Sequence, residues 1–170
     1  MRCAISTGWR SILPIEKYVE YANLKEENGR VELTGDYADM FGWEEQVKLV
    51  DSVYQSLSIK EKNNCVLWAE NYGEAGALKI LGKGFGLPNP ISRHGSFWNW
   101  GYGDKNAAVW ISIGNEKTSV ENVFEEVELV KIITHKYAID EENGIPLYIC
   151  RKPRIDIVKW WKDYEEHVFD

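Results

Sequence analysis

The sequence predicts an α/β fold, a single-domain layered sandwich whose mixed, mainly parallel sheet of about four to five strands is flanked by helices. Three observations carry this expectation. Apolar, β-prone runs stand at Cys65–Ala69 (CVLWA) and at residues 107–114 (AAVWISIG), each long enough for a buried strand. The first run stops at the polar cluster Glu70, Asn71, Tyr72, Gly73, Glu74 and passes directly into AGALKIL, the pattern of a strand handing over to a helix. Before it, Met40, Trp43, Val47, Val50, Tyr54 and Leu57 recur at spacings of three and four, which marks one face of a helix.

Taken in order, residues 1–35 read as a lead-in segment and residues 36–170 as the α/β domain. IEKYVEYANL forms a short amphipathic helix, and KEENGRVELTGD is a polar connection. Asp39 is the expected N-cap of the next helix, and Glu44 and Glu45 suit its positive first turn. After the strand at 65–69 and the helix from Glu74 to Leu81, the GKGFG run has the wrong glycine spacing for a nucleotide loop and is expected to stop the helix and turn the chain. TSVENVFEEV predicts a short helix, VELVKIITHKYAI a third strand and PLYICRKP a fourth. The loop between the last two is too short for a crossover helix, so that pair is expected to be antiparallel. IDIVKWWKDYEEH predicts a C-terminal helix with Ile157, Trp160, Trp161 and Tyr164 facing the sheet.

Composition narrows the function. A chain of 170 residues is long enough to bury a core without a metal or a disulfide. With 27 acidic against 20 basic residues and a net charge of −7, it lacks the clustered cations that a nucleic-acid surface needs. Cys3, Cys65 and Cys150 have no metal-ligand spacing, and the latter two sit in apolar runs as small hydrophobes. Neither a signal-peptide core in MRCAISTGWRSILPI nor an apolar run of bilayer length is present, so the chain is expected to be soluble.

The residues able to carry chemistry gather at Cys65–Gly101. Asn71 offers a donor and an acceptor, Tyr72 a ring and a hydroxyl, Gly73 close backbone approach and Glu74 a carboxylate, at the strand end where α/β sheets bind ligands. The same residues also read as a helix cap, with Asn71 bonded reciprocally to Glu74. Downstream, His94, Ser96, Phe97, Trp98, Asn99 and Trp100 fall within seven residues. His94 suits a general base or a hydrogen-bonding anchor; with no second His or Cys at useful spacing, a metal is not expected. Trp98 and Trp100 point the same way if the segment is extended and would form a stacking platform; the alternative is that they close over the sheet end. No G-x-S-x-G elbow is present.

Five motifs in order, ADMFGWEE (38–45), ENYGEAGAL (70–78), GLPNPISRHGSFWNWG (86–101), AAVWISIG (107–114) and ENGIPLYICRKPR (142–154), resemble the C-terminal soluble part of bacterial membrane glycosyltransferases. These are proteins similar to dolichyl-phosphate-mannose protein mannosyltransferases of the GT-C type. The resemblance covers roughly residues 36–154. Members carry an N-terminal bundle of membrane helices that transfers a sugar from a polyprenyl-phosphate donor, using acidic residues of an early extracytoplasmic loop. The resemblance therefore implies an accessory domain on the extracytoplasmic face, partnered by that membrane portion, without cofactor and not catalytic alone. Asn71, Tyr72, Gly73, Glu74, His94, Trp98 and Trp100 are its expected contacts to a glycan or a polyprenyl-phosphate sugar. Arg93 and Gly95 depart from the family pattern, which has Gly before the His and Asn after it.

Two alternatives stand beside this expectation. One is a small free-standing hydrolase with Glu74 or His94 as general base. The other is a structural or protein-interaction domain, favoured if the aromatic segment is fully packed.

Overall fold

The computed structural model of the protein describes residues 13–104 and 106–169. The expectations for the N-terminal signal region and for Cys3 lie outside these residues. The described chain divides into two compact units, one of residues up to Gly42 with Thr134–Asn143, the other of Trp43–Ile133 with Gly144–Asp170.

The first unit opens with helix α1 (Ile15–Tyr21), followed by a two-stranded hairpin, β1 (Glu26–Glu27) and β2 (Arg30–Val31), and the short helix α2 (Gly35–Ala38). The hairpin turns at Asn28 and Gly29, both at positive φ (53° and 79°), the backbone that a two-residue turn requires. Tyr18, Tyr37 and Phe41 meet edge to face, with centroids 5.1 and 5.4 Å apart, and Phe41 stacks on His135. Arg30 pairs with Asp140 and donates to the Ala138 carbonyl at 2.7 Å, fastening the 134–143 segment to the hairpin. Asp39 caps the C-terminal end of α2 rather than starting the next helix. Gly42, at φ +97°, breaks the chain there, because a left-handed residue cannot continue a helix.

The second unit holds the sheet. In chain order its elements are α3 (Trp43–Ser56), α4 (Ile59–Lys62), β3 (Cys65–Ala69), α5 (Tyr72–Leu81), β4 (Pro90–Ile91), β5 (Val109–Ile113), α6 (Lys117–Val123), β6 (Phe124–Ile133), β7 (Ile145–Pro153) and α7 (Ile157–Lys162). The five strands are ordered β4-β3-β5-β7-β6. β4, β3 and β5 pair in parallel; β7 runs antiparallel to both β5 and β6. The α/β sandwich on a mixed sheet is thus the observed architecture. All strands but β7 share one direction, and the β6–β7 pair is antiparallel, as its short connection requires.

Side-chain alternation divides the core into two layers. Leu67, Ala69, Val109, Ile111, Ile113, Leu147 and Ile149 face α3 and α5, where Val47, Val50, Val53, Leu57, Ala75 and Leu78 cover them. Val66, Trp68, Trp110, Tyr148 and Cys150 face the other way, under Val120 and Val123 of α6 and Ile157 and Trp161 of α7. Both layers are closed, which is why the central strands read as continuous apolar runs rather than alternating ones. Among the described residues no helix is long and apolar enough to cross a membrane.

Candidate functional site

The carboxyl ends of β3 and β5 lie side by side, and the polar cluster after β3 is built on them. Asn71 is the N-cap of α5: its side chain accepts from the Glu74 N–H at 3.0 Å, and Glu74 Oε2 accepts from the N–H groups of Asn71 (3.2 Å) and Glu70 (2.9 Å). Glu74 is 1% exposed. Its carboxylate rests on the backbone of Gly114, at φ +81°, where a Cβ would fall 2.6 Å from the carboxyl carbon. A carboxylate so enclosed satisfies orphan N–H groups of the helix start and presents no face to a substrate. Gly73 has a structural cause as well: a Cβ there would meet the Trp43 ring at 2.9 Å, so glycine lets α3 lay its indole on α5. Of the expected contacts at this junction, Asn71 and Glu74 build the cap, Gly73 admits the Trp43 ring, and Tyr72, 61% exposed, faces water.

The segment after β4 is not extended. Residues Gly95–Trp100 form a 3-10 turn capped by His94, so the two indoles expected on one side diverge. Trp98 goes inward, its Nε1–H donating to the Trp161 carbonyl at 3.1 Å. Trp100 goes outward, 59% exposed, against Phe97, with Lys79 Nζ 3.3 Å from its ring centroid. The shared stacking platform is therefore absent and each indole has its own neighbours. The His94 ring stands edge to face with Tyr72, centroids 4.9 Å apart, and the His94 backbone N–H donates to Ser92 Oγ at 3.1 Å. Buried Ser92 donates in turn to the Glu70 carbonyl at 3.1 Å, tying the end of β4 to the end of β3. The structure thus brings His94 to Tyr72 while holding Glu74 inside the cap.

Beside this junction opens a cleft of about 470 Å³, lined by Trp68, Glu70, Arg93, Gly114, Asn115, Glu116, Ser119 and Tyr164. Arg93 dominates it. Its guanidinium carbon lies 4.1 Å from the centroid of Trp160 and 4.0 Å from that of Tyr164, a cation held by two aromatic rings. Burial pushes the Arg93 guanidinium down from its ordinary value, while Tyr164 and Glu70 act the other way. Its Nε is buried without a hydrogen-bond partner among the described residues. Asn115, nearly fully buried, donates to Ser112 Oγ at 3.0 Å and to the Ile113 carbonyl at 3.2 Å, which fixes its amide at the strand end.

In the sequence Arg93 stands out only as a departure from a family pattern, Glu70 only as part of the polar cluster and Tyr164 only as a residue facing the sheet, and nothing there singles out Asn115, Glu116 or Ser119 as cleft residues. The signal within reach was GNE after the second apolar strand: parallel strands deliver their carboxyl ends to the same crevice.

No three His, Cys, Asp or Glu side chains among the described residues are grouped to hold a metal ion. Compared with protein-family models, curated proteins and solved structures, the chain matches none.

Proposed function

We propose that the chain is the accessory domain of a polyprenyl-phosphate-sugar-dependent membrane glycosyltransferase, acting on the extracytoplasmic face, and that it holds a glycan acceptor or a donor head group without turning it over. The observation that supports binding is the cleft at the ends of β3 and β5, where the Arg93 guanidinium is clamped by Trp160 and Tyr164 beside Glu70, Asn115, Glu116 and Ser119. Planar guanidinium and carboxylate groups suit the vicinal hydroxyls of a sugar, since each presents two donors or two acceptors at the spacing of a diol. An adjoining aromatic ring suits its apolar face. The motif series of residues 38–154 supports the membrane glycosyltransferase context. Glu74, closed inside a helix cap, is not open to a substrate as a general base, which leaves His94 as the base the hydrolase alternative would need.

The reading is tested by titrating the isotope-labelled chain with monosaccharides, sugar phosphates and short glycans while following backbone amide resonances. Saturable shifts at Glu70, Arg93, Asn115 and Tyr164, lost in Arg93→Ala, are expected. A chain whose amides do not move with any of these ligands does not bind glycan.

A further inference from the structure

Helix α5 sends Ala75 and Leu78 into the core and turns a different side to water. Tyr72, Gly76, Lys79 and Ile80 stand at i, i+4, i+7 and i+8, one stripe of an α-helix. Tyr72 and Ile80 on that stripe are 61% and 72% exposed. Trp100, 59% exposed, lies beside it under the Lys79 ammonium. The 3-10 turn Gly82–Phe85, which prolongs α5, adds Lys83 and the exposed Phe85.

Charge is segregated in the same place. The whole chain carries a net charge of −7 with 27 acidic residues, yet residues 75–103 contain no Asp or Glu and hold Lys79, Lys83 and Arg93. Arg93 belongs to the cleft; Lys79 and Lys83 flank the exposed apolar side chains. An ordinary protein surface scatters single apolar residues among charges of both signs. Here the exposed Ile80, Phe85 and Trp100 belong to a stretch of sequence whose formal charges are all cationic, and Trp100 lies against Lys79. That combination fits the boundary of a lipid bilayer: apolar side chains enter the head-group region, Trp and Tyr rings sit at its level, and long Lys stems keep their charges at the phosphates.

We propose that the exposed side of α5, with the turn that follows it, docks on a membrane surface bearing anionic lipid. Ile80, Phe85 and Trp100 enter the head-group boundary while Lys79 and Lys83 meet the lipid phosphates. This stands apart from the glycan reading, because the cleft residues and the α5 stripe are different side chains.

The test is co-sedimentation of the chain with vesicles of phosphatidylcholine alone and of phosphatidylcholine mixed with phosphatidylglycerol. Binding to the mixed vesicles, weakened by salt and nearly absent with phosphatidylcholine alone, is expected. Lys79→Ala with Lys83→Ala should weaken it about thirtyfold. Phe85→Ser with Trp100→Ser should abolish it, with circular dichroism confirming that the variant stays folded. If the aromatic variant unfolds, the lysine variant and the salt series decide alone. Failure to sediment with anionic vesicles, or sedimentation that neither variant changes, overturns the proposal. Glycan titration of the same preparation reads the cleft independently, so the two readings can fail separately.

Discussion

Trp98 and Trp161 hold each other through crossed hydrogen bonds: the Trp98 indole N–H donates to the Trp161 carbonyl at 3.1 Å, and the Trp161 indole N–H donates to the Trp98 carbonyl at 3.2 Å. Each carbonyl also accepts a local backbone N–H, Trp98 O from Gly101 at 3.1 Å and Trp161 O from Tyr164 at 3.3 Å, so each indole uses the second lone pair. Removing one donor loses that bond while the carbonyl keeps its backbone partner, so Trp98→Phe is expected to cost about 0.5–1.5 kcal/mol for the hydrogen bond. The two bonds share one pair of residues, so Trp98→Phe with Trp161→Phe should cost less than the sum of the single changes. Urea midpoints of the four proteins give the comparison; strictly additive losses would show that the two indoles act separately.

Glu74 and Gly114 form a second such pair. Gly114→Ala asks for a side chain at φ +81° and drives its Cβ into the Glu74 carboxylate, so a loss of more than about 2 kcal/mol is expected. Glu74→Ala alone removes the acceptor of the Asn71 N–H, while the Glu70 N–H keeps the Ile113 carbonyl at 3.0 Å, and should cost about 1–3 kcal/mol. In the double variant the collision is gone while the backbone strain and the lost N–H acceptor remain, so its loss should be smaller than the sum of the two single losses. Thermal unfolding of the set reads the coupling, and a Gly114→Ala protein as stable as the parent would contradict it.

Much of the second unit was legible in the sequence because its signals are local. Cys65–Ala69 and Val109–Ile113 are buried on both faces, and buried strands read as apolar runs. The Asn71–Glu74 box is a four-residue pattern with a mechanism. The rest was lost where local signal is thin. β4 has two residues, too few for alternation to register, and the hairpin of β1 and β2 is announced only by Asn28-Gly29 inside a charged run. The indoles of Trp98 and Trp100 part because the segment is 3-10 and not extended, and their neighbours are Trp161 and Lys79 from distant elements and Phe97 of the same turn. Arg93 became the centre of a cleft only once α7 brought Trp160, with Tyr164 just beyond it, to its two faces.

The two described thiols test the closure of the sheet. Burial pushes the Cys150 thiol up to about 12, and burial does the same to Cys65, also to about 12, with Glu61 adding to it. A thiol reacts as its thiolate, and at pH 8 such groups are ionised in roughly one molecule in ten thousand. The Cys3→Ser protein is therefore expected to label with a thiol reagent only after unfolding in urea. Rapid labelling of either cysteine under native conditions would mean that the β3 and β7 layers open more readily than their packing indicates.

Glu61 links stability to acid. Its carboxylate accepts from Ser58 Oγ at 2.8 Å and Ser58 N at 3.0 Å, closing the cap of α4, and from Arg151 Nη2 at 2.9 Å on β7. The Ser58 side-chain bond first, then Arg151 and the Ser58 backbone, hold its pKa at about 2, below the ordinary 4.5. With the folded value below the unfolded one, the unfolded chain takes up the proton first. The contribution of Glu61 is therefore complete above pH 4.5 and drains away as the pH falls toward about 2. Because Arg151 and Glu61 are both partly open to water, the effect is a slope and not a collapse. Glu61→Gln keeps the shape of the side chain and removes the titration. Its urea midpoint should lie below that of the parent at neutral pH and converge on it as the pH falls through that window. Midpoints separated by the same amount from pH 4.5 down to about 2 would mean that the Glu61 carboxylate does not carry the acid sensitivity of this junction.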